Sequence, residues 1–264
     1  MKILKAGVDT DRFFKRVRAA TRRALLLDYD GTLAPFRAER HEAFPYPGVP
    51  EVLNELLETG STRIVLISGR ATKDLVPLLS LERLPEIWAS HGWEHLMPDG
   101  TCEMLTMDER ARHGLADALD WIRDSGLLSY CEQKPASLAL HWRGLAEKVG
   151  GEIRAKAVKQ WSSLVQGKGL ALHEFDGGIE LRVEGRDKGD AVATILSEMG
   201  DDAVLAYLGD DLTDEDAFRA LTGKGLSVLV RPEFRPTDAD VWLQPPEELI
   251  EFLTSWTDAC RSGR

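Results

Sequence analysis

Asp28 and Asp30 stand two residues apart in the string Leu27-Asp28-Tyr29-Asp30-Gly31-Thr32, directly after the apolar run 24–27. While the chain stays extended, alternate side chains face one side, so both carboxylates can approach one centre while Tyr29 points elsewhere. Gly31 permits a sharp exit from the run, and Thr32 adds a hydroxyl and a backbone N–H. Two like charges this close are costly without a cation. A second acidic group, Gly209-Asp210-Asp211 with Asp214 just beyond, closes another apolar run. Oxygen ligands of this kind suit Mg²⁺, which takes a few carboxylates and keeps several waters. Ser68-Gly69-Arg70 ends a third apolar run, and Lys188 opens a stretch with helical periodicity. Each cluster alone has a plainer reading: a turn or helix cap for the aspartates, an N-cap for Ser68, a solvated helix residue for Lys188. Two acidic clusters, each placed where an apolar run ends, favour the chemical one.

These groups need strands to carry them. Runs at 24–27, 63–67, 87–90, 203–208 and 226–230 read as strands buried on both faces of a parallel sheet. Apolar residues at helical spacing predict helices over 47–59, 72–79, 188–199, 214–221 and 246–256, with another in the opening segment through Arg23. Such alternation predicts an α/β domain with crossover connections. The polar clusters then fall at the carboxyl ends of strands, where open α/β sheets bind ligands. The middle of the chain differs. Helices are expected over 107–123 and 146–165, and a strand pattern lies within 129–143. Segment 170–184 holds two short strands joined at the turn signal Asp176-Gly177-Gly178. The expected organisation is a core from residues 1–104 and 184–264, interrupted by an α+β insert at 105–183.

Composition narrows the function. The 264 residues carry 44 acidic against 33 basic side chains, a formal net charge of -11. Such a surface cannot replace the counterions of nucleic acid and is repelled by anionic membranes, so neither partner is expected. A phosphate substrate would have to be attracted locally, by a metal ion or a few placed cations. Hydrophobic residues make up 43%, which excludes a disordered chain. Cys102, Cys131 and Cys260 contain no CxxC pair, so neither a zinc knuckle nor a disulfide scaffold is indicated. The opening residues carry charges where a signal peptide needs an apolar stretch, and no apolar run approaches the ~18 residues of a membrane helix. A soluble, cytoplasmic protein with reduced thiols is expected.

Asp28-Tyr29-Asp30-Gly31-Thr32, Ser68, Lys188 and Gly209-Asp210-Asp211 occur in the order of the four motifs of the haloacid-dehalogenase (HAD) superfamily. From about residue 23 to 253 the chain more specifically resembles trehalose-6-phosphate phosphatases. Supporting strings are Ile67-Ser68-Gly69-Arg70, His91-Gly92-Trp93-Glu94 and Leu208-Gly209-Asp210-Asp211-Leu212-Thr213-Asp214. Glu132-Gln133-Lys134 and Leu140-His141-Trp142-Arg143 add to them in the insert. The resemblance implies a Rossmann-like core, a parallel sheet with helices on both faces, and an inserted α+β cap. It implies Mg²⁺ held by Asp28, the Asp30 carbonyl and Asp210, with Asp211 and Asp214 orienting metal waters. Asp28 would be the nucleophile that forms an aspartyl-phosphate, and Asp30 the acid and then the base. Ser68 and Lys188 would contact phosphoryl oxygens. Thr32, Gly69, Arg70, His91 and Glu94 would meet substrate from the core, and Glu132, Lys134 and Glu180 would bind sugar hydroxyls from the cap.

The implied activity is hydrolysis of trehalose 6-phosphate to trehalose and phosphate. Two departures fall on the sugar side. No proline follows Glu180-Leu181-Arg182, and His141-Trp142-Arg143 replaces the commoner His-Tyr-Arg. A phosphatase for another sugar phosphate or glycosyl phosphate would differ only in cap contacts. A non-catalytic sugar-phosphate binder would be expected to lack one of the opening aspartates, and both are present.

Overall fold

Residues 1–37, 39–175 and 177–262 are described by a computed structural model, in which the chain opens on a two-residue strand, β1 (Lys2–Ile3), and helix α1 (Thr10–Ala19). The opening segment is therefore not one helix through Arg23. Asp9 accepts from the Arg12 N–H at 2.8 Å to start α1, Ala20 is already extended, and Arg23 belongs to β2 (Arg23–Leu27). Next come α2 (Val49–Thr59), β3 (Arg63–Ile67), α3 (Thr72–Leu75) and β4 (Glu86–Ala89). The helix expected over 72–79 tightens into a 3-10 turn at Val76–Leu78, where Pro77 has no N–H to donate. Two strands without a sequence signal follow, β5 (Glu94–Leu96) and β6 (Cys102–Met104). Three residues are too few to show an alternation.

The inserted stretch runs α4 (Glu109–Asp124), β7 (Cys131–Lys134), β8 (Ser137–His141), α5 (Glu147–Val165), β9 (Leu170–Phe175) and β10 (Gly178–Val183). Its strands form an antiparallel sheet in the order β7-β8-β10-β9. Gly177 of the expected turn has φ 81°, while Asp176 lies outside the described residues. Period-two alternation sorts the side chains. Leu138, Leu140, Ile179 and Leu181 are buried, as are Ile122, Ile153 and Trp161 from the two helices.

The chain returns through α6 (Lys188–Met199), β11 (Val204–Gly209), α7 (Glu215–Leu221), β12 (Leu226–Val230), β13 (Val241–Leu243) and α8 (Glu247–Arg261). The large sheet has the order β1-β13-β12-β11-β2-β3-β4-β5-β6. From β13 to β4 all pairs are parallel, with antiparallel partners at β1 and β5. Alternate strand residues feed two cores. Leu25, Leu27, Ile64 and Leu66 pack with Phe13, Leu53, Phe252 and Trp256 from α1, α2 and α8. Ala24, Leu26, Val65 and Ile67 pack with Val192, Ile195 and Phe218 from α6 and α7. Both faces are thus covered, which is why these strands read as continuous apolar runs. This is the expected Rossmann-like arrangement with an α+β insertion. The chain divides into two units, Met1–Glu103 with Asp187–Arg264, and Met104–Arg186. Among the described residues, no helix is long and apolar enough to cross a membrane.

Candidate active site

Parallel pairing of β2 with β11 brings the two acidic clusters together. The ladder continues one step past β2, where the Asp28 N–H donates to the Leu208 carbonyl at 2.9 Å. Tyr29 turns away as expected and buries its ring, its hydroxyl donating to the Ala43 carbonyl at 2.7 Å. Gly31 has φ 84°, and a Cβ there would collide with the Asp210 carboxylate and the Phe36 ring. Only glycine lets the β2 exit pass so close to β11.

Lys188 is the hub. It is the first residue of α6, after an Asp187 N-cap that forms a capping box with Asp190. Its Nζ donates to Asp28 Oδ1 at 2.6 Å and to Asp214 Oδ1 at 2.7 Å. Thr32 Oγ1 donates to the other Asp28 oxygen at 3.0 Å. Both Asp214 oxygens are engaged. Oδ1 also accepts from the Tyr207 hydroxyl at 2.5 Å, and Oδ2 accepts the Asp210 and Asp211 N–H groups at 3.0 and 2.9 Å. Gly209 makes room for this, since a Cβ there would lie 2.5 Å from Asp214 Cγ. Asp214 is fully buried and acts as a brace, with Asp211 completing a capping box around it. Tyr207 had no motif to mark it. Burial first, then Asp214, pushes its hydroxyl far above the ordinary phenol range, so it stays a donor.

Asp210 is different. It is 2% exposed, and among the described residues its Oδ2 has no hydrogen-bond partner, though the Arg231 guanidinium stands 3.9 Å from it as an ion pair. Asp28, Asp210 and Asp214 each offer an oxygen within 4.8 Å of the others. Burial raises the Asp28 carboxyl to about 7, with Lys188 pulling it down and Asp214 pushing it up. Burial, followed by the Asp28 charge, also raises Asp210 well above the usual carboxylate range. Burial opposes the Lys188 charge, yet Asp214 and Asp28 outweigh it and keep the ammonium protonated. Two cations, Lys188 and the Arg231 guanidinium 3.9 Å from Asp210, face three buried carboxylates, which leaves net negative charge. A carboxylate oxygen that accepts no hydrogen bond, inside an all-oxygen cluster of net negative charge, fits a hard divalent cation.

The remaining core residues cluster at the β3 end. Ser68 extends the ladder by donating its N–H to the Trp88 carbonyl at 2.9 Å, and its Oγ accepts from the Arg70 N–H at 3.2 Å. Arg70, expected on substrate, forks onto Asp30. Its Nε and Nη2 each reach a carboxylate oxygen at 2.6 Å, and Nη1 donates to the Arg40 carbonyl at 2.9 Å. Ser90 and His91 both occupy the left-handed region, at φ 50° and 57°. Their N–H groups hold the turn to Arg70 and Ser68 carbonyls at 2.7 and 3.0 Å. The His91 ring lies over Gly69, where a Cβ would be 2.6 Å from Cε1 and Nε2. Glu94 secures this turn, accepting from Ser90 Oγ at 2.6 Å and from the Thr72 N–H at 3.4 Å.

Within the unit 104–186, Glu132, Lys134 and Glu180 share one face of the small sheet. Glu132 and Glu180 both pair with Ala139 in register. Glu180 is 3% exposed and accepts from Lys134 Nζ at 2.9 Å, Ser137 Oγ at 2.6 Å and Arg182 Nη2 at 2.8 Å. His141 Nε2 lies 2.9 Å from Glu132 Oε2. Ser137 and Arg182 were not singled out, although alternation along β8 and β10 places them on this face.

A profile of the family described as trehalose-phosphatase matches residues 26–243. The bifunctional trehalose-6-phosphate synthase/phosphatase of Thermoproteus tenax is 30% identical over 227 residues, which cover 85% of this chain and 31% of that protein. The trehalose-phosphate phosphatase of Mycobacterium marinum is 32% identical over 246 residues, covering 88% of this chain and 60% of that protein. The chain thus spans less than two thirds of the length of both. The solved C-terminal domain of the C. albicans trehalose-6-phosphate phosphatase has the same fold, with a TM-score of 0.79 at 22% identity, covering 98% of this chain and 99% of that one.

Proposed function

The chain belongs to the trehalose-phosphatase family, and from that membership we propose that it hydrolyses trehalose 6-phosphate to trehalose and phosphate with Mg²⁺ bound. The observation that carries this is the buried Asp28, held by Lys188 beside an Asp210 oxygen that accepts no hydrogen bond. Asp28, the Asp30 main-chain carbonyl and Asp210 would hold Mg²⁺, which when bound shields the repulsion between a carboxylate nucleophile and phosphoryl oxygens.

The chain's own groups do the rest. An Asp28 oxygen attacks phosphorus, the bond from phosphorus to the sugar oxygen breaks, and Asp30 gives that oxygen its proton. Asp30 then takes a proton from water, whose oxygen attacks phosphorus. The bond from phosphorus to Asp28 breaks, and phosphate leaves. Lys188 orients Asp28 and, with Ser68 and Thr32, faces the charge that develops on the transferred group. The Arg70 fork takes one lone pair on each Asp30 oxygen, so it aims the carboxylate and leaves the second lone pairs for proton exchange.

Residues 104–186 form the specificity cap in this proposal, with Glu132, Lys134 and Glu180 binding sugar hydroxyls. Cys102, Cys131 and Cys260 are free thiols, which supports a reducing, cytoplasmic setting. Initial rates over a panel of sugar phosphates, with and without chelator, test the whole. Trehalose 6-phosphate should be preferred by orders of magnitude over glucose 6-phosphate, and exhaustive chelation should stop turnover. Equal rates on the two esters would sink the substrate assignment, and full activity after chelation would sink the metal.

A further inference from the structure

The stretch between β12 and β13 folds back over the Asp210 loop and carries Arg235. Its side chain is 14% exposed and makes a fan of contacts. Nε donates to the Asp210 carbonyl at 3.1 Å, and Nη2 to the Asp211 carbonyl at 2.7 Å. Nη1 pairs with Glu215 and donates to the Pro236 carbonyl at 2.9 Å. Glu215 is itself anchored, accepting from Thr237 Oγ1 at 2.8 Å and from the Asp238 N–H at 2.7 Å. The planar guanidinium therefore spans the loop from residue 210 to residue 215.

Asp214 takes the N–H groups of Asp210 and Asp211, and Arg235 takes their carbonyls, with Arg231 Nη1 also reaching the Asp210 carbonyl at 3.4 Å. The peptide that bears the Asp210 carboxylate is thus held on both polar sides. We propose that Arg235 is a positioning residue for Mg²⁺ binding: by fixing the Asp210–Asp211 backbone it aims the Asp210 carboxylate. This rests on the proposed Asp210 metal site.

Charge alone makes the opposite claim. A cation close to a metal site repels the metal, so its removal should tighten binding. Positioning says that removal loosens binding, because an unheld carboxylate must be ordered each time the ion enters. Lysine separates the two, since it keeps the charge but cannot span two carbonyls and a carboxylate as the rigid fork does.

The test is calorimetric titration of Mg²⁺ into the metal-free full chain as wild type, R235K, R235Q and D210N, with metal-free thermal unfolding of each. R235K and R235Q should bind Mg²⁺ about 10–100-fold more weakly, as removal of a group that supports a metal ligand does elsewhere. The Mg²⁺ concentration for half-maximal hydrolysis should rise in parallel. Equal or tighter binding by R235Q, or unchanged binding by R235K, overturns the role given to Arg235. Wild-type Mg²⁺ binding by D210N overturns the metal site beneath it. R235K keeps the test decisive if R235Q fails to fold.

Discussion

Replacing Asp28 with Asn should abolish turnover and yet stabilise the metal-free protein above neutral pH. Burial holds the Asp28 carboxyl up to about 7, against an ordinary 3.8. The folded state therefore binds this proton more tightly than the unfolded chain does. Stability from that proton is fully present below about pH 4 and is lost as pH rises through about 7. The gap between the two values corresponds to about 4 kcal/mol at pH 8. Asn resembles the protonated acid and keeps an acceptor for Lys188, but its amide N–H₂ must find an acceptor in a buried site, which takes back about 1–2 kcal/mol. A net gain of about 2–3 kcal/mol should raise Tm by roughly 4–12 °C for a chain of this size. Thermal unfolding in chelator at pH 5 and pH 8 measures it. The wild type should lose stability between the two pH values, and Asp28→Asn should lose much less. Adding Mg²⁺ at pH 8 should close the gap by stabilising the wild type more than the variant. A variant no more stable than wild type at pH 8 without metal would refute the idea that uncompensated buried charge strains this site. Undiminished hydrolysis by the variant would refute the aspartyl-phosphate route.

Asp214→Asn should destabilise the protein by about 3–5 kcal/mol in urea unfolding, because a neutral amide cannot serve all four donors that now converge on the fully buried carboxylate and leaves Lys188 short of a charge partner. Arg70→Lys, which breaks the twin bonds to Asp30, should slow hydrolysis of a sugar phosphate far more than that of p-nitrophenyl phosphate, whose leaving group needs no proton; equal losses on both esters would remove Arg70 from proton transfer. Glu180→Gln should raise KM for trehalose 6-phosphate at least 10-fold while changing p-nitrophenyl phosphate kinetics little, and an unchanged KM would detach the Glu180 cluster from sugar binding.

Much of this was legible along the chain because it is a local consequence of backbone geometry. Buried runs at 63–67 and 226–230 became strands with the expected bounds, and 188–199 became the expected helix. Strands covered on both faces cannot alternate, and a helix must repeat its apolar residues near 3.6. Gly31 before Thr32 announced a sharp exit, and alternation across β8 and β10 put Glu180 and Arg182 on one face. The short strands β5, β6 and β13 escaped, since three residues hold no period.

What the linear pattern could not contain was the pairing of charges. Arg70 meets Asp30 across 40 positions because β3 lies beside β2, and Lys188 meets Asp28 across 160 because α6 packs over β2. Nothing near Tyr207 or Arg235 marks either residue, yet one braces Asp214 and the other clasps the Asp210 loop. Residue types and spacing settled which groups could do chemistry. Strand order, which depends on how the whole apolar surface is buried at once, decided which of those groups face one another and which carboxylate oxygen is left without a hydrogen-bond donor.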